Sequence, residues 1–255
     1  MSVLLVDIGN TRLKWAVLRG EKLGRQKALP HAQITARDLQ RHLFSKAQIR
    51  GVRRVIAVTV AGTRLNRLLV ATCREATGLP CEFVTSSRNA AGLTTRYKEP
   101  WRLGADRFMA VIAAYHIARA RGACVIDLGT AMTIDLVDPL GVHLGGAIIP
   151  GPELMIGTVL KNTAGIARRA RGTVATKGLF AQDTRTAISQ GARYAAAALV
   201  DRAVSESHKL LNRNPLVLVT GGAAVDIEPL LLCSYVSVPD LVLRGVALRA
   251  GLPLK

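Results

Sequence analysis

Apolar and polar positions along the chain switch between two periods. Apolar runs over 3–6, 13–18 (broken only by Lys14) and 55–60 (broken only by Thr59) have the length of buried strands. A weaker third segment ends before Pro30, so the chain opens as a β-meander. Helical spacing covers 35–47, with Thr35 as N-cap and Asp38 in the first turn, and 64–77, which Gly78-Leu79-Pro80 stops. A short strand is predicted over 82–84, a polar loop reaching the active site over 86–100, and a long helix over 105–121. The second half restarts the pattern with strands at 123–126, 132–137 and 142–148, the last two separated by a Pro139-Leu140-Gly141 turn. Helices follow over 152–160, opened by Pro152, and over the Ala-rich stretch 184–211. A strand over 215–219 runs into Thr220-Gly221-Gly222, and a final helix covers 241–249. The order β-β-β-α-β-α-β-α is thus read twice, with no Pro/Ser-rich linker. This predicts an α/β protein of two fused domains, residues 1–118 and 119–255, joined near 117–122.

The two halves share more than their order. Val6-Asp7-Ile8-Gly9-Asn10-Thr11-Arg12-Leu13-Lys14 follows the first strand, and Ile126-Asp127-Leu128-Gly129-Thr130-Ala131-Met132-Thr133-Ile134-Asp135 follows its counterpart. Laid over each other, Asp7 meets Asp127, Gly9 meets Gly129 and Lys14 meets Ile134. An Asp-x-Gly turn between strands presents a carboxylate and backbone N–H groups to whatever lies in front of it. One such turn would pass for an ordinary glycine turn. Two in the same register, with hydroxyls alongside, point to a phosphorylated ligand such as a nucleotide triphosphate.

Composition narrows the class. With 49% hydrophobic and 20% charged residues in 255, the chain is globular. No apolar run approaches the roughly 18 residues that a membrane span needs. Met1 leads straight into a strand without a signal-peptide pattern, so a cytoplasmic location is expected. Cys73, Cys81, Cys124 and Cys233 have no C-x-x-C spacing and read as buried reduced thiols. The five histidines are dispersed, so no protein-bound transition metal is expected. The net charge of +18 raises a nucleic-acid partner. Its spread along the chain and an aromatic content of 4% favour a solvated surface that steers an anionic nucleotide instead.

Gly104-Ala105-Asp106-Arg107 opens a predicted helix, where an Asp can take a proton from a hydroxyl and an Arg can grip a carboxylate bidentately. A capping Asp beside a surface Arg is the plainer alternative. Taken in order, Asp7-x-Gly9-Asn10-Thr11-x-x-Lys14, Gly104-Ala105-Asp106-Arg107, Asp127-x-Gly129-Thr130-Ala131-x-Thr133-x-Asp135 and Gly145-Gly146-x-Ile148-x-Pro150-Gly151 resemble the type III pantothenate kinase family. That family belongs to the actin-like ATPase superfamily of acetate and sugar kinases, Hsp70 and hexokinase.

The resemblance implies two actin-like (ribonuclease H-like) domains with a nucleotide cleft between them. It implies ATP binding by Asp7, Ile8, Gly9, Asn10, Thr11, Arg12, Leu13, Lys14 and Thr130, and Asp106 as general base. Pantothenate would be bound by Gly104, Ala105, Asp106, Arg107, Tyr97 and Thr184, the last from across a homodimer. Tyr97-Lys98-Glu99-Pro100 resembles the family's Tyr-x-x-Pro element, with Glu99 where Asn is often found. Thr184 equally reads as a simple N-cap. Asp127 matches the position assigned to a monovalent cation, potassium or ammonium, and magnesium is implied with ATP. Two rival functions stay open: a kinase for another small hydroxy acid, and a regulatory protein on the same fold that associates with nucleic acid.

Overall fold

Strand β1 (Ser2–Ile8) pairs antiparallel with β2 (Arg12–Arg19) in a register that sets Asp7 opposite Lys14. The computed structural model describes residues 1–174 and 178–255, and over these the chain forms two units. The first comprises residues 1–119, 141–144 and 240–255, and the second residues 120–140 and 145–239. The chain therefore does not divide at a single point near 118, because its C-terminal helix returns to the first unit.

In the first unit, β3 (Lys22–Leu23) and β4 (Lys27–Pro30) pair with β2. The helices α1 (Ala36–His42) and α2 (Lys46–Ile49) precede β5 (Val52–Thr59), which lies parallel to β1. After α3 (Thr63–Thr77), β6 (Cys81–Phe83) adds a further parallel strand beside β5. Leu4, Val6 and Ile8 of β1 share a buried core with Leu39 of α1 and with Leu65, Leu69 and Cys73 of α3. Consecutive apolar residues on β1 are explained by burial on both faces. The helix predicted over 35–47 is two helices: Leu43 and Phe44 turn into that core, and the Phe44 N–H reaches back to Leu39 O at 3.1 Å. The Thr35–Asp38 capping box is present as the sequence predicts.

The predicted loop over 86–100 contains a small hairpin, β7 (Asn89–Ala90) and β8 (Leu93–Thr95). Its turn residues Ala91 and Gly92 both have positive φ, 47° and 78°, as a two-residue hairpin turn requires. Helix α4 (Ala105–Ala118) is buried over most of its length and ends earlier than expected, at Arg119 with φ of 52°. The C-terminal helix (Leu241–Arg249) packs against α4 and β1. Gly245 permits that approach, since a Cβ there would collide with the Met109 carbonyl.

The second unit is built on β9 (Ala123–Leu128) and β10 (Ala131–Val137), antiparallel with Thr133 opposite Asp127. Strand β11 (Val142–Pro150) begins in the first unit, where Val142 and His143 pair with Thr94 and Thr95 of β8, and continues into the second beside β10. Helices α5 (Pro152–Asn162), α6 (Ala164–Arg169) and α7 (Thr184–Leu211) follow. Strand β12 (Leu216–Thr220) lies parallel to β9, the short α8 (Ala224–Ile227) follows it, and β13 (Val236–Ser237) pairs with β12.

Candidate active site

In the first hairpin, Ile8 and Leu13 are fully buried and anchor an exposed tip of Asn10, Thr11 and Arg12. The Gly9 N–H donates to Arg12 O at 3.1 Å and closes the turn. His31 braces it from the side: its N–H donates to Thr11 O at 3.2 Å, and Nε2 lies 2.8 Å from Gly9 O. Behind the turn, Asp7 is 4% exposed, and Lys14 Nζ lies 4.0 Å from its Oδ2. A buried carboxylate calls for nearby positive charge or donors, and the opposed register of β1 and β2 supplies the Lys14 ammonium. The tip backbone and Lys14 fit an anionic ligand.

The Gly104–Arg107 segment sits at the start of α4. Gly104 is its N-cap and makes no side-chain cap, Ala105 is the first helical residue, and Asp106 lies in the first turn. The Arg107 N–H donates to Asp106 Oδ1 at 2.8 Å, holding the carboxylate over the helix N-terminus. A Cβ on Gly104 would sit 2.8 Å from that same oxygen, so glycine makes room for the carboxylate. Arg107 is only 6% exposed. Its Nη1 donates to Tyr97 Oη at 3.1 Å, and its guanidinium carbon lies 5.7 Å from the Tyr97 ring centre. Tyr97 is fixed in turn by Arg88, which donates to the carbonyls of Thr95, Tyr97 and Lys98 at 3.0, 2.7 and 3.0 Å. Glu99 forms an ion pair with Arg102 at 2.6 Å and leads into the turn at Pro100–Arg102. Arg107 is thus no surface arginine beside a cap.

In the second unit, Asp127 is half-buried at the end of β9 and Thr130 is exposed at the hairpin tip. Two glycines bring backbone up to this turn. The Gly151 N–H donates to Thr130 O at 2.9 Å, and a Cβ on Gly151 would collide with Gly129 O. Gly221, with φ of 103°, lies so close that a Cβ would be 2.5 Å from the Leu128 backbone, and the Ala223 N–H donates to Leu128 O at 2.9 Å. A rim of backbone without side chains fits a phosphate-bearing ligand. Thr184 is the first residue of α7, whose N-cap is Asp183 accepting from Thr186 N at 2.9 Å. The capping reading of Thr184 is thereby corrected: Asp183 fills that role. Among the described residues no group of three or more His, Cys, Asp or Glu side chains is placed to hold a metal ion.

Residues 3–206 match the family model of type III pantothenate kinase. The chain belongs to the type III pantothenate kinase family. It is 35% identical over 251 residues to the Type III pantothenate kinase of Nitrosococcus oceani, covering 96% of this chain and 92% of that protein. It is 36% identical over 250 residues to that of Aromatoleum aromaticum, covering 97% of each. The fold is shared with the ethanolamine utilization protein EutJ from Carboxydothermus hydrogenoformans, at a TM-score of 0.53 and 16% identity over 98% of this chain and 90% of that one. The architecture is accordingly the actin-like α/β fold that the motifs imply.

The structure brings Tyr97, Gly104, Ala105, Asp106 and Arg107 together at one helix start, and Asp7 through Lys14 on one hairpin. Asp127 and Thr130 share a second hairpin, whereas Thr184 stands on a separate helix of the second unit. Sequence reasoning missed His31, which follows β4, Arg88, which precedes β7, and His143, which lies on β11.

Proposed function

We propose that this protein transfers the γ-phosphoryl group of ATP to the primary hydroxyl of pantothenate, giving 4′-phosphopantothenate, the first step of coenzyme A biosynthesis. The observation that carries the proposal is the membership of this family by a chain whose α4 starts with a carboxylate and a buried guanidinium on adjacent residues. Pantothenate has a hydroxyl at one end and a carboxylate at the other, which is what that pair is suited to.

Asp106 accepts the proton as the hydroxyl oxygen attacks the γ-phosphorus, and ADP leaves with the electron pair of the broken P–O bond. Arg107, ordered by Tyr97, holds the carboxylate through two parallel N–H···O bonds. Gly104 and Ala105 leave the helix N-terminus open to the substrate, and Thr184 contributes a hydroxyl. The hairpin from Asp7 through Ile8, Gly9, Asn10, Thr11, Arg12 and Leu13 to Lys14 binds ATP phosphates, with Lys14 neutralising developing charge. The Thr130 amide donates to phosphate, and Asp127 holds potassium or ammonium. Magnesium bound with ATP supplies further charge neutralisation at the phosphates. Assembly as a homodimer is part of the same reading.

A panel of small hydroxy acids assayed for ADP release tests the reading. Release that depends on pantothenate and on potassium or ammonium is expected. Preference for another hydroxy acid would replace the substrate, and salt-sensitive DNA binding without pantothenate-dependent ADP release would favour the regulatory alternative.

A further inference from the structure

His143 occupies a fully buried position on β11, 0% exposed. An imidazole taken out of water loses hydration that a Leu or Val in its place would never have had. Its contacts explain what it does there. Nδ1 is hydrogen-bonded to Thr95 Oγ1 at 2.9 Å, and the Arg96 N–H donates to the His143 carbonyl at 3.0 Å. Its ring stacks on Tyr97, with centres 5.9 Å apart and planes 15° from parallel. Thr95 Oγ1 also accepts from the Tyr97 N–H at 3.2 Å. The face and backbone of Tyr97 are therefore both fixed through His143 and its partner hydroxyl. Tyr97 Oη then accepts from Arg107 Nη1. All four residues lie within the first unit.

We propose that His143 is a positioning residue for the acceptor substrate. It fixes the Tyr97 ring and, through Tyr97 Oη, the plane of the Arg107 guanidinium. A bidentate grip on a carboxylate depends on that plane, whereas attraction to the charge alone does not. The inference rests on the reading of Arg107 as the carboxylate anchor. Being buried, His143 acts through Tyr97 without touching substrate.

The test is steady-state kinetics of the wild type, His143→Leu, His143→Phe and Thr95→Val. Each is assayed with pantothenate and with pantothenyl alcohol, in which a hydroxymethyl group replaces the carboxylate. His143→Leu, which removes both ring and hydrogen bond, is expected to raise the KM for pantothenate about tenfold. Its KM for ATP should stay within about twofold, and its preference for pantothenate over the alcohol should narrow. His143→Phe keeps a ring against Tyr97 and should rise about threefold, with Thr95→Val moving in the same direction. An unchanged KM for pantothenate in folded variants overturns the proposal, as does a parallel rise in both KM values, which marks a merely structural role. If thermal denaturation shows that His143→Leu does not fold, the other two variants decide by the same readout. A wild type inactive on pantothenate overturns the functional reading and this inference with it; an active wild type with unaltered variants overturns this inference alone.

Discussion

Gly151→Ala separates the proposed phosphate-binding role of the second hairpin from its stability. The added methyl group would collide with Gly129 O and stand 2.7 Å from Thr130 O, where ordinary contact begins at 3.4 Å. The Gly129-Thr130 turn must then recede by most of an ångström, and the Gly151 N–H to Thr130 O bond of 2.9 Å stretches or breaks. A misplacement of about 1 Å at a reacting group lowers turnover by up to about a hundredfold. If the Thr130 amide serves ATP, kcat/KM for ATP should fall by about ten- to a hundredfold, with the KM for pantothenate little changed. The matched control is Gly157→Ala, on an exposed face of α5 where a Cβ meets nothing within 4 Å. That variant should keep wild-type kinetics and gain about 0.5–1 kcal/mol from higher helix propensity. Coupled ADP assays with ATP as the varied substrate, alongside urea unfolding, provide both readouts. Kinetics of Gly151→Ala within about twofold of the wild type in a folded protein would refute the reasoning.

Three further outcomes are expected. Asp106→Asn should lower kcat by about 10²–10⁴ while ATP affinity, measured by calorimetry, stays close to that of the wild type; substantial remaining turnover removes Asp106 from the role of base. Gly245→Ala forces α4 and the C-terminal helix apart and should cost about 3 kcal/mol or more in urea unfolding, and a loss below about 1 kcal/mol would mean the contact yields easily. The Arg54 guanidinium donates to both Glu82 oxygens, at 2.9 and 2.7 Å, and holds that carboxyl below its ordinary value of 4.5. A depressed folded pKa stabilises above the unfolded value and is lost as pH falls through the folded one. Both side chains are about a third exposed or more, so Glu82→Gln should cost only about 0.5 kcal/mol at neutral pH. That difference should shrink as pH falls below 4.5, and a difference constant with pH would contradict the pairing.

The elements of the fold were legible where a single period governs the residues. Apolar runs gave β1, β2, β5 and β9, and a long stretch of helix formers gave α7. The break within 35–47 was not legible, because Leu43 and Phe44 fit a helix locally and leave it only to reach a core assembled from distant strands. The β7–β8 hairpin was hidden because Ala91, a residue rarely found at positive φ, occupies a turn position that Asn or Gly would have signalled. The return of the C-terminal helix to the first unit turns on the bare backbone of Gly245, which no local pattern reveals. In the candidate site, the Asp-x-Gly turns and Gly104–Arg107 stood out because their residue types are unusual for their positions. His143, Arg88 and His31 did not, since each works through a partner remote in sequence.

The central claim is tested most directly by following the γ-phosphorus of ATP by phosphorus NMR during turnover with pantothenate, magnesium and potassium. The expected result is loss of the γ-resonance matched by a phosphomonoester signal that couples to the methylene protons of the pantothenate primary alcohol. A γ-phosphoryl group that appears only as inorganic phosphate, or an ATP spectrum unchanged by pantothenate, would contradict it.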